Sequence, residues 1–124
     1  MEIKALIADS SAMVRRNITR SLNEIGVRNV VEAIDSNQAI ELVEKNTFDV
    51  VFAEWNTQIG AGEELVQSFR KKDANLPIIV TAPHTKKLTD LQQNCPSAST
   101  YLQMPFTTEQ LRKTVSEYVP SIAG

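Results

Sequence analysis

The apolar residues of this chain fall into five short runs separated by segments of helical period. The runs are Ile3–Ala8, Asn29–Ile34, Phe48–Ala53, Leu76–Ala82 and Ser99–Met104. The first, third and fourth are almost continuously apolar, as parallel strands covered on both faces must be, whereas the second and fifth read as sheet edges. Between them, Val14, Ile18, Leu22 and Ile25 lie at i, i+4, i+8 and i+11, one stripe of an amphipathic helix that Gly26 is placed to end. Asp35 with Gln38 offers a capping box for a second helix bearing Ala39, Leu42 and Val43. Leu65, Val66 and Phe69 mark a third helix. Leu111, Val115, Tyr118 and Val119 mark a last one, opened by Thr107 with Gln110 in capping-box spacing. A helix about Lys86–Asn94 rests on Leu88 and Leu91 alone.

Strict strand–helix alternation with short connections and right-handed crossovers predicts an α/β fold, a (βα)5 doubly wound five-stranded parallel sheet with helices on both faces. With 124 residues, 42% of them hydrophobic, the chain is expected to be one domain over 1–124, large enough for a core without disulfide or metal staples. The single Cys95 leaves no internal disulfide and suits a reducing compartment, so a cytoplasmic setting is expected. No stretch approaches the ~20 apolar residues that span a bilayer, and no basic leader precedes a long apolar core. Thirteen basic and fifteen acidic residues, interspersed to a net charge of −2, give no field to hold a nucleic-acid backbone. The balance favours a protein partner, and the tail Pro120–Gly124 is expected to fray.

In open α/β sheets ligands sit outside the carboxyl ends of the strands, where the strand order reverses. The residues just past those ends are Asp9 and Ser10, Glu54, Trp55 and Asn56, Thr81 and Ala82, and Met104 and Pro105. Taken singly, Asp9 and Glu54 are ordinary loop acids, and Asp9 or Ser10 would cap the first helix. Taken together they form an acidic cluster, which costs energy unless a cation or hydrogen bonds offset it.

These residues carry a resemblance. The stretch Leu6-Ile7-Ala8-Asp9-Ser10-Ser11-Ala12-Met13-Val14-Arg15-Arg16 resembles the acidic first loop and first helix of the receiver domains of bacterial two-component response regulators, the chemotaxis (CheY-like) type in particular. Phe52-Ala53-Glu54-Trp55-Asn56 resembles the phosphoacceptor loop, and Gly62 falls where the third helix begins. Val80-Thr81-Ala82 is similar to the switch hydroxyl segment, and Tyr101-Leu102-Gln103-Met104-Pro105-Phe106 to the switch aromatic and lysine–proline segment. The resemblance covers nearly the whole chain and implies the flavodoxin-like strand order 2-1-3-4-5.

It also exposes departures. The family carries an acidic pair after the first strand, an Asp acceptor after the third and a Lys before the proline near the fifth. Here Ser10, Glu54 and Met104 stand at three of these positions, while Asp9 and Thr81 are retained. In-line attack by the acceptor carboxylate needs accurate placement, and the extra methylene of Glu54 moves the oxygens by up to about 1.5 Å, a displacement that can cost ~10²-fold in rate. Ser10 removes one negative charge from the shell implied for Mg²⁺, leaving Asp9, Glu54 and the Asn56 carbonyl as a weak metal set at most. Met104 removes the cation that would pair with a phosphoryl group. The expected site is therefore one released from phosphotransfer, with no enzymatic activity and at most weakly held Mg²⁺.

The resemblance further implies that Thr81 and Tyr101 couple the pocket to the face formed by the fourth helix, fifth strand and fifth helix. The plainer reading makes Thr81 a β-branched strand end and Tyr101 a half-buried strand aromatic. If the Glu54 carboxylate stood where a phosphoryl oxygen would, it would hold Thr81 as a fixed phosphomimic. His84 has no second ligand nearby, Cys95 lacks a partner His, and the pairs Lys71-Lys72 and Lys86-Lys87 read as solvated helix faces.

The leading expectation is a stand-alone pseudo-receiver, a monomer or weak dimer, that meets a sensor histidine kinase or downstream target by protein contact. A second is a working phosphoacceptor with altered chemistry at Glu54. A third, a nucleotide or flavin binder, lacks any Gly-rich phosphate cradle. A DNA-binding regulator is disfavoured because no output domain follows residue 119 or so.

Overall fold

The computed structural model describes residues 2–57 and 60–122. Strands β1 (Lys4–Ala8), β2 (Asn29–Ala33), β3 (Val50–Glu54), β4 (Ile78–Pro83) and β5 (Thr100–Met104) alternate with helices α1 (Ala12–Glu24), α2 (Ser36–Lys45), α3 (Gly62–Lys72), α4 (Leu88–Asn94) and α5 (Thr108–Ser116). The five strands form one parallel sheet in the order β2-β1-β3-β4-β5, as expected. The three strands with the most continuous apolar runs are its centre, which is why both of their faces are apolar.

The side-chain alternation of a strand divides the core into two layers. Ala5, Ile7, Val50, Phe52 and Ile79 pack with Ile18 and Leu22 of α1 and with Leu111 and Val115 of α5. On the opposite face, Leu6, Ala8, Val51, Ala53, Ile78 and Val80 pack with Ala39 and Val43 of α2 and with Leu65, Val66 and Phe69 of α3. Helix ends follow local chemistry. Gly26, at φ 94°, turns the chain out of α1 in a conformation that Cβ-bearing residues disfavour. Thr107 and Gln110 cap α5 reciprocally, with N–H to side-chain oxygen bonds of 2.8 and 3.0 Å.

Several sequence expectations need correction. The N-cap of α1 is Ser11, not Asp9 or Ser10: its Oγ accepts the Val14 N–H at 3.3 Å. The second-helix box is split, since Asp35 accepts from the Gln38 N–H while the Gln38 side chain accepts from Ile34 rather than from Asp35. α4 starts at Leu88 rather than Lys86, and only Leu91 of its two leucines is buried, so no stripe existed to set its boundary. α5 ends at Ser116; Tyr118 and Val119 lie beyond it, Val119 buried on the α1/α5 side. The tail is turned, not frayed, through Ile122, because Pro120–Ile122 form a 3₁₀ turn whose Ile122 packs on that layer; residues 123 and 124 lie outside the described residues. A short antiparallel pairing of Asn56–Thr57 with Gly60–Ala61, unforeseen, carries the chain from β3 to α3. Among the described residues no helix is long and apolar enough to cross a membrane.

Candidate acidic pocket at the carboxyl edge of the sheet

The carboxyl ends of β1, β3 and β4 bring Asp9, Glu54 and Thr81 to one edge of the sheet. Register fixes the neighbours: Ala8 pairs with Ala53, and Glu54 with Thr81. Asp9 is still tied to the ladder through its N–H to the Ala33 carbonyl at 3.1 Å, so its side chain is delivered at the strand terminus and is buried. Its Oδ1 accepts the Ser11 N–H at 2.8 Å, and its carbonyl accepts from Arg15 at 2.8 Å. Arg15 in turn pairs with Glu32 at 2.9 Å. Burial, and secondarily the nearby Glu54 carboxylate, push the Asp9 carboxyl up to about 6, against the opposing pull of the Ser11 N–H and Arg15.

Glu54 turns toward Ser10. Its Oε1 accepts the Ser10 N–H at 3.2 Å and the Ser10 hydroxyl at 3.1 Å, with Oε2 3.5 Å from the same hydroxyl. A hydroxyl thus stands where a second acid would repel the carboxylate. Among the described residues no hydrogen bond joins Glu54 to Thr81, which is buried. Met104 is half-buried and joined to Pro105 by a cis peptide. It lines an apolar groove of about 490 Å³ with Met13, Val14, Pro83 and Phe106. Asn56 is exposed at the start of the short antiparallel pairing. Among the described residues no three His, Cys, Asp or Glu side chains are grouped to hold a metal ion.

The loop after Glu54 is anchored from both sides. The Trp55 N–H donates to the Thr81 carbonyl at 2.9 Å, and the Trp55 carbonyl accepts the Gly62 N–H at 3.1 Å. A Cβ on Gly62 would stand 2.5 Å from that carbonyl oxygen, so α3 begins against the loop only because the residue there has no side chain. Lys86 was missed as part of this region: read as a solvated face, it instead sets its Nζ 4.6 Å from the centre of the Trp55 ring. No signal in the Lys86-Lys87 pair distinguishes the two residues. Tyr101, paired in register with Val80, packs on the α2/α3 layer and donates its hydroxyl to the Cys95 carbonyl at 2.6 Å. Burial raises the Tyr101 phenol and the Cys95 thiol above their ordinary ranges. His84 is exposed, and its backbone N–H donates to the Met104 carbonyl at 2.8 Å.

Residues 5–116 match the family model described as the response regulator receiver domain. The chemotaxis protein CheY of Pseudomonas aeruginosa is 24% identical over 124 residues, covering 98% of this chain and 100% of that protein. CheY-3 of Vibrio cholerae is 26% identical over 117 residues, 93% of this chain and 90% of the relative. The solved structure of Vibrio cholerae CheY4 superposes with a TM-score of 0.82 at 26% identity, covering 95% of this chain and 99% of that one. The sheet order, the acidic pocket at its carboxyl edge and a match across most of the length agree: this chain belongs to the response regulator receiver domain family, the CheY-like signalling modules of two-component systems.

Proposed function

We propose that residues 1–124 form one pseudo-receiver unit of the cytoplasm, which signals by protein contact and whose phosphorylation is impaired or absent. The carrying observation is the Ser10–Glu54 hydrogen bond. It satisfies the carboxylate that occupies the acceptor position, and Met104 offers no cation to draw a phosphoryl group toward it. The donor set is also a poor one for Mg²⁺, which prefers charged oxygen ligands in near-octahedral order. Asp9 is buried, bonded to Ser11 and raised to about 6, while Glu54 is engaged by Ser10. No catalytic residue is assigned. Thr81 and Tyr101 are the switch positions, and the face of α4, β5 and α5 is the surface toward a sensor histidine kinase or a downstream target.

The test is incubation with acetyl phosphate and Mg²⁺, read by intact mass and by phosphate-affinity electrophoresis. The wild type is expected to stay unlabelled, while the combined Ser10→Asp, Glu54→Asp, Met104→Lys variant gains an acid-stable, base-labile adduct. A stable wild-type adduct lost in Glu54→Gln refutes the reading and makes the protein a working phosphoacceptor. Partner recovery with Thr81→Ala and Tyr101→Ala addresses the switch, and unchanged partners remove it from the account.

A further inference from the structure

The outer side of α1 carries a feature unrelated to the acidic pocket. Arg15, Arg16 and Arg20 of α1 and Arg28, just before β2, line one open groove of about 690 Å³ together with Glu24 and Glu32. Arg15 is committed to Glu32, and Glu24 accepts from the Thr108 hydroxyl at 2.6 Å. Among the described residues no ion pair involves Arg16, Arg20 or Arg28, all of which are exposed. In a chain of net charge −2, four Arg against two Glu therefore line one concavity, and three of the guanidinium groups are outside any ion pair among the described residues.

The groove runs beside the open edge of the sheet, since β2 is the terminal strand. The Ala33 carbonyl faces inward, accepting from Asp9. By the alternation of a parallel strand, the backbone groups of Val30 and Glu32 then face outward and are unpaired by the sheet. The Val30 and Glu32 side chains lie on the α1 side, Val30 packing on the α1/α5 layer and Glu32 reaching Arg15. Guanidinium groups and an open strand edge thus border the same groove.

We propose that this groove binds an acidic peptide in extended form, added as a strand along β2 with alternate carboxylates reaching Arg16, Arg20 and Arg28. Strand addition supplies main-chain pairing, while a period of two places every second side chain on the α1 side. All four cations are Arg, whose planar fork matches a carboxylate bidentately. A nucleic acid shares the negative charge but not the fit. The outward-facing Val30 and Glu32 backbone groups match a peptide main chain, which a phosphate backbone cannot supply.

The probe is a fluorescein-labelled peptide of about eight residues alternating Glu and Thr, long enough to cover one strand, followed by anisotropy in about 50 mM and about 500 mM salt. Saturable binding that weakens with salt is expected, falling about tenfold in Arg16→Ala/Arg28→Ala, two exposed ion pairs being lost. Hydrogen exchange at the Val30 and Glu32 amides is expected to slow on binding. Both arginines are exposed, and an unchanged thermal melt of the double variant shows that the loss is not unfolding; Arg28→Gln alone is expected to give a partial loss. Absence of peptide binding, equal binding of a Lys-Thr peptide, or unaltered Val30 and Glu32 exchange overturns the proposal. Tighter binding of a single-stranded oligonucleotide of equal charge overturns it in favour of a nucleic acid.

Discussion

Replacing Asp9 by Asn removes a charge that the fold keeps out of water. The residue is 5% exposed, and its carboxyl is lifted from 3.8 to about 6, chiefly by burial and then by Glu54. A carboxyl whose folded-state pKa lies above its unfolded value binds more protons when folded, over the interval between the two. Its protonation therefore stabilises the protein fully below pH 3.8, and that contribution is lost as pH rises through about 6. At ~1.4 kcal/mol per pH unit the rise corresponds to about 3 kcal/mol, and screening by water reaching the pocket beside exposed Ser10 brings it to about 1–2 kcal/mol.

Asn keeps the size of Asp and an Oδ1 to accept the Ser11 N–H, and the Arg15 bond goes to the backbone carbonyl, which is unchanged. Asp9→Asn is thus expected to be more stable than wild type at pH 8 by about 1–2 kcal/mol, with the gap closing as pH falls toward 4. Urea unfolding followed by Trp55 fluorescence reads this as a midpoint raised by roughly 0.5–1 M at pH 8. A variant less stable than wild type at pH 8, or a gain of the same size at pH 4.5, refutes the reasoning. Either result means that the Asp9 charge is compensated in the folded state.

Gly62→Ala is expected to lower stability by about 1–3 kcal/mol and the melting temperature by several degrees, because its Cβ would meet the Trp55 carbonyl oxygen at 2.5 Å; an unchanged melt shows that α3 can shift without strain. Tyr101→Phe leaves the Cys95 carbonyl without its 2.6 Å donor and is expected to cost about 1 kcal/mol in urea unfolding. Lys86→Ala is expected to change Trp55 emission while altering stability by no more than about 1 kcal/mol. Unaltered emission removes the cation from the tryptophan environment.

The sheet and its two layers were readable because their signals are local and redundant. β1, β3 and β4 are apolar on both faces, and Gly26, Thr107 and Gln110 act within one helical turn. The errors fall where that redundancy ends. Leu91 alone anchors α4, and strands of two residues have no period to detect. Asp9, Ser10 and Ser11 are all eligible caps, and the choice is settled by where β1 releases the chain. The Asp9 N–H is still bonded across the sheet, so Ser11 is the residue free to adopt the cap geometry of φ −88° and ψ 117°.

The pocket divides in the same way. Its membership follows from the strand ends, since a parallel sheet delivers the residues after each strand to one edge. Its chemistry depends on a bond between residues 44 positions apart. Considered alone, Glu54 is either an awkward acceptor or a phosphomimic, and Ser10 is a lost ligand. Their pairing gives the two departures a common physical basis. A longer carboxylate reaches across the edge of the sheet, and a hydroxyl receives it where an acid would repel it. Asp9 is then the acid of the pocket that burial holds out of water, with the Ser11 N–H and no cation on its side chain. Its raised pKa is the expected consequence, and for that reason Asp9, rather than the acceptor position, is where the loss of the usual charge pattern should be measurable as stability.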